Sequence, residues 1–165
     1  MLVQAPETPG WNSSVPHQVR TAVCAYVLDG DTIKTDGNET IRLLGINAPE
    51  IFHEAREGRA ESAAESYGVE AKAALTDAIQ GKEILLIVPK GREAHDRYGR
   101  TLGLIIFEGQ LMNLLLVEKG YAEPFELGNM DLLNIADFRD AQARAEAAKI
   151  NLYSIDPRRR VLRAE

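Results

Sequence analysis

At 165 residues, 45% of them hydrophobic and 27% charged, the chain has the size and balance of one globular domain able to build a single core without staples. Its formal charge of −6, from 19 Lys and Arg against 25 Asp and Glu, is the wrong sign for a protein that coats nucleic acid non-specifically, so any phosphate contact must be local. No run approaches the roughly 18 apolar residues of a membrane helix, and the N-terminus lacks a signal-peptide pattern, so a soluble chain without membrane contact is expected; a secreted or periplasmic site would require a leader removed upstream.

Residues 1–17 carry Pro6, Pro9, Gly10, Asn12, Ser13, Ser14 and Pro16 with no hydrophobic period and read as an irregular arm, ordered where it touches the body. The domain proper is expected over 18–155. From about Gln18 to Leu44, β-branched and apolar residues broken by Asp29-Gly30 and Asp36-Gly37 predict a three-strand meander. Cys24 lies in this apolar run and reads as a small buried hydrophobe, having no partner for an internal bridge. The stretch 51–66 is polar and acidic, a surface loop. Ala71, Ala74, Leu75, Ala78 and Ile79 then form a helical stripe that Gly81 closes.

Glu83 to Val88 and Thr101 to Phe107 read as two further strands joined by a basic segment, with Lys90, Arg92, Arg97 and Arg100 outnumbering Glu93 and Asp96. Glu108-Gly109 turns the chain into a short helix marked by Leu111, Leu114 and Leu115 and closed by Gly120, after which a Gly120-Tyr121-Ala122 strand is expected. Ile135, Phe138, Gln142, Ala145 and Ala148 share one face of an Ala-rich helix that Asp131 could cap. Arg158, Arg159 and Arg160 fall in a solvated basic tail over 156–165. Three strands, a helix, two strands and two helices, without βαβ alternation, predict an α+β domain built on an OB-fold, a five-stranded antiparallel barrel with three helices.

Three clusters carry chemistry. Asp29-Gly30-Asp31-Thr32 is by itself a hairpin turn. Arg42 sits inside an apolar strand, where a guanidinium on the buried side needs an anion, and Glu50 follows directly on Pro49. Asp96-Arg97-Tyr98-Gly99-Arg100 ends in an arginine that opens the next strand. Together they supply hard oxygen ligands, a further carboxylate and two guanidiniums, the equipment for phosphodiester hydrolysis: a divalent cation and two arginines neutralise charge on the phosphate oxygens while a carboxylate orients or deprotonates the attacking water.

Leu28-Asp29-Gly30-Asp31-Thr32, Arg42-Leu43-Leu44 with Pro49-Glu50, Asp96-Arg97-Tyr98-Gly99-Arg100, and Ala141-Gln142-Ala143 leading to Asn151-Leu152-Tyr153 resemble, in the same order, the staphylococcal nuclease (thermonuclease) family over roughly Gln18 to Ser154. The resemblance implies a calcium-dependent nuclease, a monomer cleaving single-stranded DNA or RNA. By motif position it makes Asp31 the carboxylate ligand of the metal, with Asn47 and the backbone carbonyl of Ala48 completing the protein's share. Glu50 takes the place of the general base, Arg42 and Arg100 those of the paired phosphate-binding arginines, and Arg97 and Tyr98 fall where the family contacts a neighbouring phosphate.

The chain departs from the family at three places. Asn47 stands where a second carboxylate ligand is usual, and fewer ligand charges mean weaker Ca²⁺ binding. The acidic 51–66 loop replaces one that is often basic, and could repel a polyanion or lend a carboxylate in place of the one missing at Asn47. Glu123-Pro124-Phe125-Glu126-Leu127 leaves Phe125 as the stacking surface for a base. The alternative is therefore a catalytically weak or inactive nucleic-acid-binding module of the same fold. His17, His53 and His95 follow no zinc spacing, and there is no Cys-x-x-Cys pair, G-x-S-x-G elbow or P-loop.

Overall fold

A computed structural model describes residues 3–51, 67–91 and 94–156. The acidic loop apart from Ile51, Arg92, and the basic tail beyond Asp156 lie outside the described residues.

The meander forms as its turn signals dictate: β1 (His17–Asp29), β2 (Thr32–Thr35) and β3 (Thr40–Leu43) pair antiparallel in succession. A register shift between Cys24 and Tyr26 breaks the two-residue alternation of β1. Cys24 and Val27, three apart, can therefore both point inward while Tyr26 between them stays exposed. Burial pushes the Cys24 thiol up to about 11, so it stays protonated and unreactive.

After β4 (Ile46–Asn47), α1 (Gly68–Ile79) packs Ala71, Leu75 and Ile79 against the barrel and ends where Gly81 adopts φ 81°. β5 (Glu83–Pro89) pairs antiparallel with β1 and with β6 (Thr101–Phe107). β6 also pairs with β3, and this one parallel seam closes β1, β2, β3, β6 and β5 into a five-stranded barrel. Nearly every residue of β6 is buried, because one face lines the interior and α2 (Met112–Glu118) packs near it. Between them, β7 (Gln110–Leu111) turns back on β6 through Glu108 and Gly109, both at positive φ. The fold is thus the α+β OB-fold that the element order predicts.

The chain from 120 onward differs in detail from its sequence pattern. The Tyr121 N–H donates to the Leu116 carbonyl, ending α2, so no strand forms over 120–122; β8 (Glu123–Pro124) begins after it and pairs antiparallel with β4. Asp131 does not cap the last helix. Its own N–H donates to Asn129 Oδ1 in a 3-10 turn over Met130–Leu132, and α3 (Ile135–Ala148) starts at Asn134 with no side-chain cap. Phe138, Ala141 and Ala145 are the buried face of α3, while Ile135 is 38% exposed.

The arm is fastened to this half of the molecule. Asn12 N–H donates to Leu132 O, Asn134 N–H to Gly10 O, and Gly10 N–H to Asp137 Oδ2, with Trp11 buried between.

Candidate active site

The β1–β2 turn, the end of β3 and β4 bring Asp31, Arg42, Asn47 and Ala48 together, and all are buried. Strand pairing sets this up: Thr32 lies opposite Arg42, and the Leu43 N–H donates to the Asp31 carbonyl. Arg42 Nη1 donates to the carbonyls of Leu43 at 2.7 Å and Ile46 at 2.8 Å. Its Nη2 donates to Asn47 Oδ1 at 3.1 Å and lies 3.4 Å from Asp31 Oδ2. The anion that this buried guanidinium requires is therefore Asp31. Asp31 is itself held by the Ala48 N–H on Oδ2 at 2.8 Å and the Thr32 hydroxyl on Oδ1 at 2.9 Å.

A second group forms around Asp96, to which the sequence pattern assigned no role of its own. Asp96 Oδ1 accepts from the N–H of Tyr98 at 2.9 Å and of Arg100 at 3.0 Å, and Oδ2 accepts from Arg100 Nε at 2.7 Å. Burial would raise the Asp96 carboxyl, but the hydrogen bonds from Arg100 and its positive charge outweigh that and hold it below the usual carboxylate range. The loop is thus a clamp that fixes the Arg100 guanidinium from its Nε edge. Tyr98 is 65% exposed, with Arg97 and Arg100 over its ring at 4.9 and 5.4 Å. The signal for Asp96 was legible as an aspartate four residues before Arg100, across a glycine at positive φ.

The parallel seam relates the two groups: Arg42 lies opposite Leu102, two residues beyond Arg100. At the base of the seam Glu39 accepts from Arg20 at 2.6 Å and from the Thr101 hydroxyl at 2.7 Å. The Arg20 hydrogen bond, more than the Thr101 one, lowers the Glu39 carboxyl against the effect of burial. Glu50 is half-buried, three residues beyond Asn47 on the strap that leads toward α1. Phe125 donates its N–H to Gly45 O at 2.8 Å, which holds the segment after β8 alongside the start of β4.

The donor chemistry at Asp31 and Asn47 is that of a hard cation: a carboxylate and an amide oxygen that converge on the same Arg42 nitrogen. Only one of the two carries charge, and that charge already faces a guanidinium. Among the described residues no cluster of three or more His, Cys, Asp or Glu side chains forms a metal-binding group. The donor chemistry of Asp31 and Asn47 is compatible with a hard cation of low ligand charge.

Comparison with known proteins places this geometry in context. The family model described as staphylococcal nuclease homologue matches residues 40–155. Endonuclease YhcR of Bacillus subtilis is 36% identical over 129 residues, covering 74% of this chain and 10% of that protein. An uncharacterized endonuclease of Haemophilus influenzae is 29% identical over 146 residues, 86% of this chain and 71% of that protein. Endonuclease YncB of Bacillus subtilis is 26% identical over 130 residues, 77% of this chain and 58% of its own length. The chain thus spans a small part of the first relative and most of the second.

Proposed function

The chain belongs to the staphylococcal nuclease homologue family, and from that premise we propose that it is a calcium-dependent nuclease hydrolysing phosphodiester bonds of single-stranded DNA or RNA. The observation that carries the reading is the buried Asp31–Arg42–Asn47 cluster. Burying a charged pair costs several kcal/mol per ion before attraction repays it, and an apolar core would do the structural work as well or better. Such a buried charged cluster, joined through the β3–β6 seam to the Asp96-clamped Arg100, supports a reaction on a polyanion.

In this reading Asp31, Asn47 and the Ala48 carbonyl would hold Ca²⁺, which when bound would supply a positive charge to polarise the phosphate. Glu50 takes a proton from the attacking water. Arg42, buried with both terminal nitrogens engaged by protein acceptors, acts as a preorganised positive charge at the floor of the site. Arg100, clamped by Asp96, contacts the phosphate at the rim, and Arg97 and Tyr98 hold a neighbouring nucleotide.

The test is cleavage of an end-labelled single strand with and without millimolar Ca²⁺, on protein shown to melt cooperatively. Calcium-dependent products are expected, and their absence sinks the proposal. Glu50→Gln should lower kcat by about 10²–10⁴-fold with little change in nucleotide affinity. Equal loss of affinity would mark Glu50 as structural.

A second reading, a binding module with little catalysis, is favoured by one observation: the Asn47 oxygen is engaged by Arg42. It predicts retention of a fluorescent single strand in anisotropy titrations with no products at any Ca²⁺ concentration.

A further inference from the structure

The first turn of α1 takes no part in the chemistry above, yet it lies against both halves of it. A Cβ placed on Gly68 would stand 2.2 Å from the Glu50 carbonyl oxygen, 2.7 Å from its carbon and 3.2 Å from the Ile51 nitrogen. These are backbone atoms, so no rotamer change relieves the contact. Gly68 does not adopt positive φ, so its backbone conformation is open to alanine. Closeness to the Glu50 peptide, and not backbone freedom, is what glycine supplies at this position.

One turn further on, the same helix touches the other half of the site. A Cβ on Gly30, in the turn that carries Asp31, would stand 2.7 Å from the Ala71 Cβ and 3.0 Å from the Ala48 Cβ. The Ala48 N–H in turn holds Asp31. Gly68 and Ala71, three residues apart on one helix face, therefore meet the Glu50 peptide and the Asp31 turn respectively.

We infer that the N-terminal turn of α1 is the gauge that sets Glu50 relative to Asp31, with Gly68 as its positioning residue. The inference rests on the reading of Glu50 as general base. A helix suits this task because its face is rigid, and a catalytic carboxylate displaced by about 1 Å can lose on the order of 10²-fold in rate.

Gly68→Ala should push the Glu50 peptide away from the helix. The expected result is a loss of about tenfold or more in kcat, with KM close to wild type because the Asp96 clamp and its arginines are untouched. Val69→Ala, at a neighbouring position that is 61% exposed, should leave kcat within about twofold. A Gly68→Ala enzyme with wild-type kcat, or with kcat unchanged and KM alone raised, overturns the inference. Should Gly68→Ala fail to fold, Ala71→Gly opens the second contact without adding an atom and should lower kcat in the same direction; unchanged kcat there overturns it. If the wild type proves not to cleave at all, the nuclease reading fails by itself, and amide resonances report on the gauge separately. Gly68→Ala should then shift the signals of Ala48, Glu50 and Asp31, and unmoved signals reject it.

Discussion

In the proposed function, Asn47 is the ligand position whose charge sets metal affinity. Its side-chain oxygen lies on Arg42 Nη2, the atom that also faces Asp31. Asn47→Asp adds a carboxylate where the guanidinium already offers partial compensation, so the fold should tolerate it. We expect calorimetric titration to show Ca²⁺ bound tighter by on the order of tenfold, since ligand charge count governs affinity at such sites; an unchanged titration would remove Asn47 from the ligand set. Asp96 sets a pH dependence of its own. Its folded-state value is lowered, so the stability it contributes is present above its unfolded value of about 4 and lost as pH falls through the folded one. Wild type should therefore exceed Asp96→Asn in melting temperature and nucleotide affinity near neutral pH, and the gap should close as pH drops below about 4. A gap that persists into acid would mean that the Arg100 clamp does not depend on the charge.

At the scale of elements, the parallel seam between β3 and β6 positions the whole site, and it is pinned from outside by one buried side chain. Asn113, on α2, accepts from the Ile105 N–H at 3.0 Å and donates to the carbonyls of Leu44 at 2.9 Å and Gly103 at 3.2 Å. It thereby satisfies backbone groups where the ladder runs out. Removing it leaves buried donors and acceptors without partners, so Asn113→Ala should cost about 2–4 kcal/mol in urea unfolding. Because Leu44 immediately follows the Arg42-Leu43 pair, the same variant should lower activity even at temperatures where it is fully folded. Full activity in the folded variant would show that the seam tolerates slack.

For the molecule as a whole, a net charge of −6 confines attraction for a polyanion to a few sites. Arg42 is fully buried, which leaves Arg97 and Arg100 as the phosphate contacts, so binding of a single strand should weaken with salt along a log–log slope of only ~1.4, at about 0.7 per contact. A much steeper slope, measured by anisotropy between low and physiological salt, would mean that a larger basic surface takes part. The anchored arm belongs to this scale as well. Trp11 is buried and Gly10 is bonded to Asp137, so the irregular N-terminal segment closes over α2 and α3 as part of the core.

The meander, the first helix, the strands of the barrel and the two ends of the site follow from local signals: Asp-Gly turns, two-residue alternation, helix stops at Gly81 and Gly120, and an arginine where a strand should be apolar. Such features depend on neighbours in the chain and are legible without the fold. What depended on distant partners was not. The loss of a strand over 120–122, the failure of Asp131 to cap α3, the engagement of Arg42 by Asp31 and the pressing of Gly68 on the Glu50 peptide each join residues far apart in sequence or competing for one donor. Local propensity carries no term for either. The residue types of the site are thus set by the sequence alone, whereas which of them are spent on one another, and how closely the carrier of Glu50 meets that of Asp31, is decided by the closure of the barrel.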